Sequence, residues 1–217
     1  MRVLFATPYR AHTHPALLDG AMGLRDAAVA AATSAGYAVD VALYRDEGGP
    51  PQSQPYAGNA RARNALLAAH LTPEHDLVLW VDADLVRYPA DIIPRLDEVR
   101  DGGVAAPFVY LDKEAPGRFY DTAGFIEFSG QHTPIWPPHF TQPGPVVSLL
   151  SVGCCYLIPA DVYRDGAVYA PAPPHVEHWP VMRHAAAMGL PIVADRRIEA
   201  FHAYLPDYGE RWHDGRQ

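Results

Sequence analysis

Residues 76–91 read Asp-Leu-Val-Leu-Trp-Val-Asp-Ala-Asp-Leu-Val-Arg-Tyr-Pro-Ala-Asp, and this stretch decides the fold. Leu77 to Val81 is an unbroken apolar run of strand-forming types, suited to a strand covered on both faces in a mainly parallel sheet. Asp82 and Asp84 follow as the strand leaves the sheet, and Pro89 then opens a predicted helix from about Ala90 to Arg100. Open α/β folds bind ligands at the carboxyl edge of their strands, where these two carboxylates sit. Carboxylates so close repel one another, and without a cation beside them one is pushed toward protonation. Mg²⁺ and Mn²⁺ take one or two protein carboxylates and complete their coordination with phosphate oxygens and water. The pattern predicts a metal–diphosphate site; the alternative is an Asp-x-Asp that caps the next helix or stays solvated.

The chain of 217 residues is long enough for one α/β domain with a buried core. No low-complexity linker or internal repeat divides it, so residues 1–217 are expected to form a single domain. Its nucleotide-binding part is expected over about 1–110, its acceptor-binding part over about 111–204, and a polar tail over 205–217. A formal net charge of −8 argues against a broad nucleic-acid footprint. No apolar run reaches bilayer length and the N-terminus does not read as a signal peptide, which predicts a soluble, cytoplasmic protein without a membrane span. The two cysteines, Cys154 and Cys155, are adjacent and offer no disulfide framework.

In chain order, residues 2–6 predict a first strand, with Thr7, Pro8, Tyr9 and Arg10 as a loop able to cradle a nucleotide. Tyr9 would stack on a base and Arg10 would meet a phosphate; the alternative for each is a plain surface residue. A helix is predicted from about residue 14 to Gly36, then a strand over 37–44 and a loop in which Asp46 or Glu47 could accept hydrogen bonds from a base. The segment 59–70 predicts a helix with Arg61, Arg63 and Asn64 near its start, a clamp for a ribose-diphosphate at the positive end of the helix dipole. Beyond the central strand, 104–109 reads as a buried strand and 120–128 as an antiparallel strand with Asp121 exposed. Residues 131–147 read as a Pro-rich loop holding Trp136, His139 and Phe140. One long strand is predicted over 146–158, in which Gly153 marks either a close backbone approach to a ligand or a bulge. A short helix follows Pro159. Glu177 stands at the entrance of a helix closed by Gly189, either as a local helix-start carboxylate or as a reacting acid. The strands 191–194 and 198–204 end the pattern, with His202 breaking an apolar run. A second kind of metal ligand is needed beyond the carboxylates, and imidazole suits Mn²⁺ better than Mg²⁺.

This ordered set resembles a GT-A glycosyltransferase: the Thr-Pro end of the first strand, Ala-Arg-Ala-Arg-Asn at 60–64, the hydrophobic strand into Asp-x-Asp with Tyr-Pro-Ala-Asp-Ile-Ile, Ser-Val-Gly at 151–153, a Glu-containing helix start and a late His. It is most similar to glycosyltransferase family 62, the fungal Golgi mannosyltransferases that elongate mannan. The resemblance runs from about residue 3 to residue 204. It implies a mainly parallel mixed sheet with helices on both faces. It also implies that Asp82, Asp84 and His202 bind Mn²⁺ or Mg²⁺, that Arg63 and Asn64 bind the donor, and that Glu177 lies near the acceptor. The implied activity is transfer of a sugar from a nucleoside diphosphate sugar, GDP-mannose before a UDP-sugar, to an acceptor hydroxyl. Glu177 would be the base if the reaction inverts, and would orient sugar or acceptor if it retains. The sequence is expected to carry no membrane anchor like that of the fungal proteins, and it is shorter and richer in proline after Asp112. Two other readings compete: a haloacid-dehalogenase-type phosphatase with Asp82 as nucleophile, and a nucleotide- or glycan-binding module without turnover.

Overall fold

Two apolar sets, offset by one residue, run through the central strands and define the layers of the molecule. The computed structural model describes residues 1–10, 13, 15–47, 56–112, 118–127 and 142–203. Leu77–Val81 forms β3, buried at every position. It lies between β1 (Arg2–Arg10) on one side and the antiparallel β7 (Cys155–Pro159) on the other. Leu4, Val78, Trp80, Tyr156 and Ile158 point to one face, against Leu66 and Leu67 of α2 (Ala57–His70) and Val181 and Met182 of α5 (Trp179–Ala187). Val3, Phe5, Leu77, Leu79 and Leu157 point to the other, against Ala28 and Ala32 of α1 (Pro15–Ser34) and Ile92, Ile93 and Leu96 of α3 (Ile92–Val99). A period of two on a strand packed from both sides produces this division, and each large apolar side chain so buried contributes roughly 1.5–3 kcal/mol.

The remaining strands are β2 (Ala38–Asp46), β4 (Leu85–Arg87), β5 (Val104–Leu111), β6 (Val146–Ser148) and β8 (Ile192–His202), with a short helix α4 (Asp161–Arg164). The eight-stranded sheet runs β2-β1-β3-β7-β5-β8-β4, with β6 also on β8. It is mixed: β1–β2, β1–β3 and β5–β8 are parallel, while β7, β4 and β6 join antiparallel. Among the described residues no helix is long and apolar enough to cross a membrane.

Several local expectations are corrected. Thr7 to Arg10 is no loop but the continuation of β1, with Thr7 opposite Leu43 and Arg10 opposite Asp46. The ladder with β3 ends at Ala6, so Pro8, which has no N–H to donate, occupies a part of β1 that needs a partner on one flank only. The stretch between Asp84 and the helix contains β4, held by β8 rather than by local preference. The strand expected over 146–158 divides into β6 and β7 on different neighbours, with Cys154 at φ 23° in the break. The two late strands are one, β8. Segment 120–128 yields no strand among its described residues; an isolated bridge joins Ile126 to Ser151, and Asp121, expected at the surface, is buried. Most of the Pro-rich loop, including Trp136, His139 and Phe140, and the tail from 204 onward lie outside the described residues.

Candidate active site

The end of β3 meets the end of β8 because β4 pairs antiparallel with β8, Leu85 opposite His202. The Ala203 N–H donates to the Asp84 carbonyl at 2.8 Å, which locks the two chain segments together. His202 Nε2 then lies 3.0 Å from Asp84 Oδ2. Its Nδ1 is 2.9 Å from the Ala203 carbonyl oxygen, which only accepts, so Nδ1 carries the ring proton and Nε2 faces the carboxylate. Tyr120 stacks on the imidazole with centroids 3.8 Å apart. Burial alone would lower the His202 pKa, but the charge and hydrogen bond of Asp84 bring it above the ordinary value.

An imidazole nitrogen facing a carboxylate is satisfied by a proton or by a cation, and the donor set fits a divalent metal. The carbonyl partner of Nδ1 is the arrangement that orients metal-binding histidines. Among the described residues no three His, Cys, Asp or Glu side chains gather into a metal cage. A divalent ion held there would have the carboxylate–imidazole pair as its protein ligands and would complete its coordination with phosphate oxygens and water, as Mg²⁺ and Mn²⁺ sites commonly do.

Asp82 has a different partner. Its Oδ1 accepts from Arg63 Nη2 at 2.7 Å, and Arg63 Nε reaches Glu177 Oε1 at 3.3 Å. Arg63 is 2% exposed, and its guanidinium lies over Trp80 at 4.9 Å and Tyr169 at 5.6 Å from the ring centroids. Trp80 Nε1 donates to the Tyr163 hydroxyl, which with the Tyr169 and Tyr156 hydroxyls forms a buried hydrogen-bonded chain. The rings around the guanidinium are thereby held in place. Burial pushes the Asp82 carboxyl up to about 6, with Arg63 opposing and Asp84 and Glu177 adding to the rise. A cation beside Asp84 would relieve that crowding.

Glu177 is 3% exposed just before α5. Burial would raise its pKa, but His178, with Nδ1 at 3.9 Å, and Arg63 outweigh it and hold the carboxyl at about 2. A depressed carboxylate stabilises the fold above its unfolded value and loses that contribution as pH falls through its folded value. Wild-type stability should therefore fall between about pH 4.5 and about pH 2, and Glu177→Gln should flatten that part of the curve. Urea midpoints measured across this window check it, and an unchanged slope in the variant contradicts the pairing.

The other expected site residues are placed as follows. Asn64 is engaged at both ends of its amide with the Tyr169 backbone, at 2.8 and 3.0 Å, and so anchors the segment ahead of Glu177. Arg61 Nη2 holds both oxygens of Asp46, at 2.8 and 2.9 Å, at the end of β2. Thr7 is buried and Tyr9 half-buried on β1. Gly153 precedes β7 and packs against Asp121 and His178. The structure thus unites Asp82, Asp84, Arg63, Glu177 and His202 at one edge of the sheet. It adds Tyr120 and Asp121, which sequence reasoning left on an exposed strand, and His178, which it passed over. Burial raises the Asp121 pKa, partly offset by His178. The small residues around it, Ala123, Gly124 and Gly153, were the only signal, and they become meaningful only once the two segments meet.

Residues 56–133 match the Anp1 family model, a span that carries α2, β3 and both aspartates. No curated protein matches the chain. Among solved structures, a mutant of Drosophila β1,4-galactosyltransferase 7 in complex with manganese, UDP-Gal and xylobiose aligns at TM-score 0.50 and 12% identity, over 99% of this chain and 74% of that one. The catalytic domain of the same Drosophila enzyme with xylobiose gives 0.49 at 12% identity over 100% and 74%. GalNAc-T7 with UDP, GalNAc and Mn²⁺ gives 0.48 at 10% over 93% and 43%. At such identity the likeness is one of fold, and the first of these structures carries it: the chain has the GT-A fold. The chain is thus similar to the Anp1 family over residues 56–133 and has the GT-A fold as a whole.

Proposed function

We propose that the protein transfers a sugar from a nucleoside diphosphate sugar to an acceptor hydroxyl with Mn²⁺ or Mg²⁺ at Asp84 and His202. The donor is GDP-mannose, favoured by the Anp1 match and by the resemblance to the mannan-elongating family 62; a UDP-sugar comes next. The observation that carries this reading is the pair of Asp84 Oδ2 and His202 Nε2, 3.0 Å apart at the carboxyl edge of the sheet. When bound there, the ion supplies Lewis-acid charge to the leaving diphosphate.

The chain's own residues do the rest. Arg63 holds Asp82 and Glu177 on one guanidinium, so the first Asp-x-Asp carboxylate and the acid before α5 stay in fixed relation. A carboxylate held at about 2 is a weak base, because general-base catalysis works best near the operating pH. Glu177 therefore orients sugar or acceptor, and the departing phosphate takes the acceptor proton, a route open to a retaining reaction. The acceptor side draws on residues beyond about 111, within one domain with the nucleotide-binding half.

A thermal-unfolding screen tests the reading. GDP-mannose or UDP-glucose with Mn²⁺ should raise the midpoint by about 5 °C at a hundredfold excess over Kd, and neither component alone should do so. The absence of any shift, with donor hydrolysis also absent, would overturn the assignment.

A further inference from the structure

Asp121 and His178 are buried polar residues for which the fold supplies only half of what they need. Asp121 is 6% exposed and His178 5%, and Asp121 Oδ2 and His178 Nε2 have no hydrogen-bond partner among the described residues. Buried polar atoms are ordinarily satisfied, so a pair of unsatisfied ones beside a reaction centre points to a ligand.

The two residues converge on Gly153. A Cβ added there would stand 2.7 and 2.8 Å from the Asp121 oxygens and 2.9 Å from His178 Cε1. On its other side Asp121 Oδ1 lies against Gly124, and Oδ2 has no hydrogen-bond partner among the described residues. Asp121 directly follows Tyr120, the ring stacked on His202, and His178 directly follows Glu177. The unsatisfied atoms thus belong to segments that border the Asp84–His202 pair on one side and the Arg63–Glu177 pair on the other.

We propose that Asp121 and His178 bind one hydroxyl of the transferred sugar and so select the sugar of the donor. This rests on the reading of Asp84 and His202 as the site of the donor diphosphate. A hydroxyl can donate to Asp121 Oδ2 and, where His178 carries a proton on Nε2, accept from it at once, whereas a phosphate oxygen would face a carboxylate. A hydroxyl that reaches this place beside the diphosphate belongs to the sugar bonded to that diphosphate.

The test compares Asp121→Asn with wild type by calorimetric titration of GDP and of GDP-mannose, each with Mn²⁺; UDP and UDP-glucose replace them if GDP-mannose does not bind. The variant removes the carboxylate's charge and puts an NH₂ donor in place of one of its two acceptor oxygens. The expected result is unchanged nucleoside diphosphate affinity with sugar-nucleotide affinity about tenfold weaker or worse. Monodeoxy donors provide a readout on the unaltered protein: loss of one particular hydroxyl should weaken wild type by a similar factor and Asp121→Asn no further. Equal loss for nucleotide and sugar nucleotide, no loss for either, or a wild type indifferent to every hydroxyl overturns the subsite and leaves the donor assignment standing. A wild type that binds neither sugar nucleotide removes both.

Discussion

Asp84→Ala is expected to lower metal-dependent sugar transfer by on the order of a thousandfold in a protein that still folds. The size follows from the charge that develops on a departing diphosphate, whose stabilisation by a bound cation is worth several kcal/mol. Without the Asp84 carboxylate the proposed metal site would keep, among the described residues, the His202 imidazole alone, because the nearby Asp82 carboxylate is held by Arg63. Folding should survive: the Asp84 side chain is 31% exposed, and its backbone carbonyl still accepts from Ala203. The Mn²⁺-dependent part of the thermal shift should vanish together with turnover. A folded Asp84→Ala protein with undiminished turnover would remove Asp84 from the metal site.

The second large effect is on stability. Arg63→Met is expected to cost about 3–5 kcal/mol, the usual penalty for removing one member of a buried ion pair. Met approximates the volume, but Glu177 is left 3% exposed without its guanidinium, and Asp82 loses the cation that restrains its rise. Arg63→Lys should not restore stability, since one ammonium cannot reproduce a planar fork that spans two carboxylates between aromatic rings. The double variant Arg63→Met/Glu177→Gln should be less destabilised than the sum of the single changes, because the second substitution removes the charge that the first left unpaired. Equilibrium denaturation measures all of these, and a cost within about 0.5 kcal/mol for Arg63→Met would show that the network is not structural.

Leu77–Val81 shows how far local pattern reaches. Five consecutive apolar residues require cover on both faces, and the strand is buried throughout at the centre of the sheet. The stops at Gly36 and Gly189 were legible for a similar reason, since both end helices at positive φ, where a side chain is disfavoured. β4 was not legible, because three residues form a strand there only where β8 comes alongside. Asp121 was misread because residues 120–128 read as an antiparallel strand with Asp121 on its exposed side. The segment instead folds its carboxylate inward, against two glycines from separate parts of the chain.

The sequence by itself determined the class of fold and the edge of the sheet where chemistry would gather, since burial periodicity and strand-end aspartates are local properties. Only the tertiary structure decided how those groups divide. Arg63 and Glu177 are 114 residues apart in the chain, and their contact diverts Asp82 into an ion-pair network. The β4–β8 ladder brings His202 to Asp84 instead. Which carboxylate faces an imidazole and which faces an arginine depends on strands that meet late in the chain, and no spacing within Asp-Ala-Asp encodes that choice.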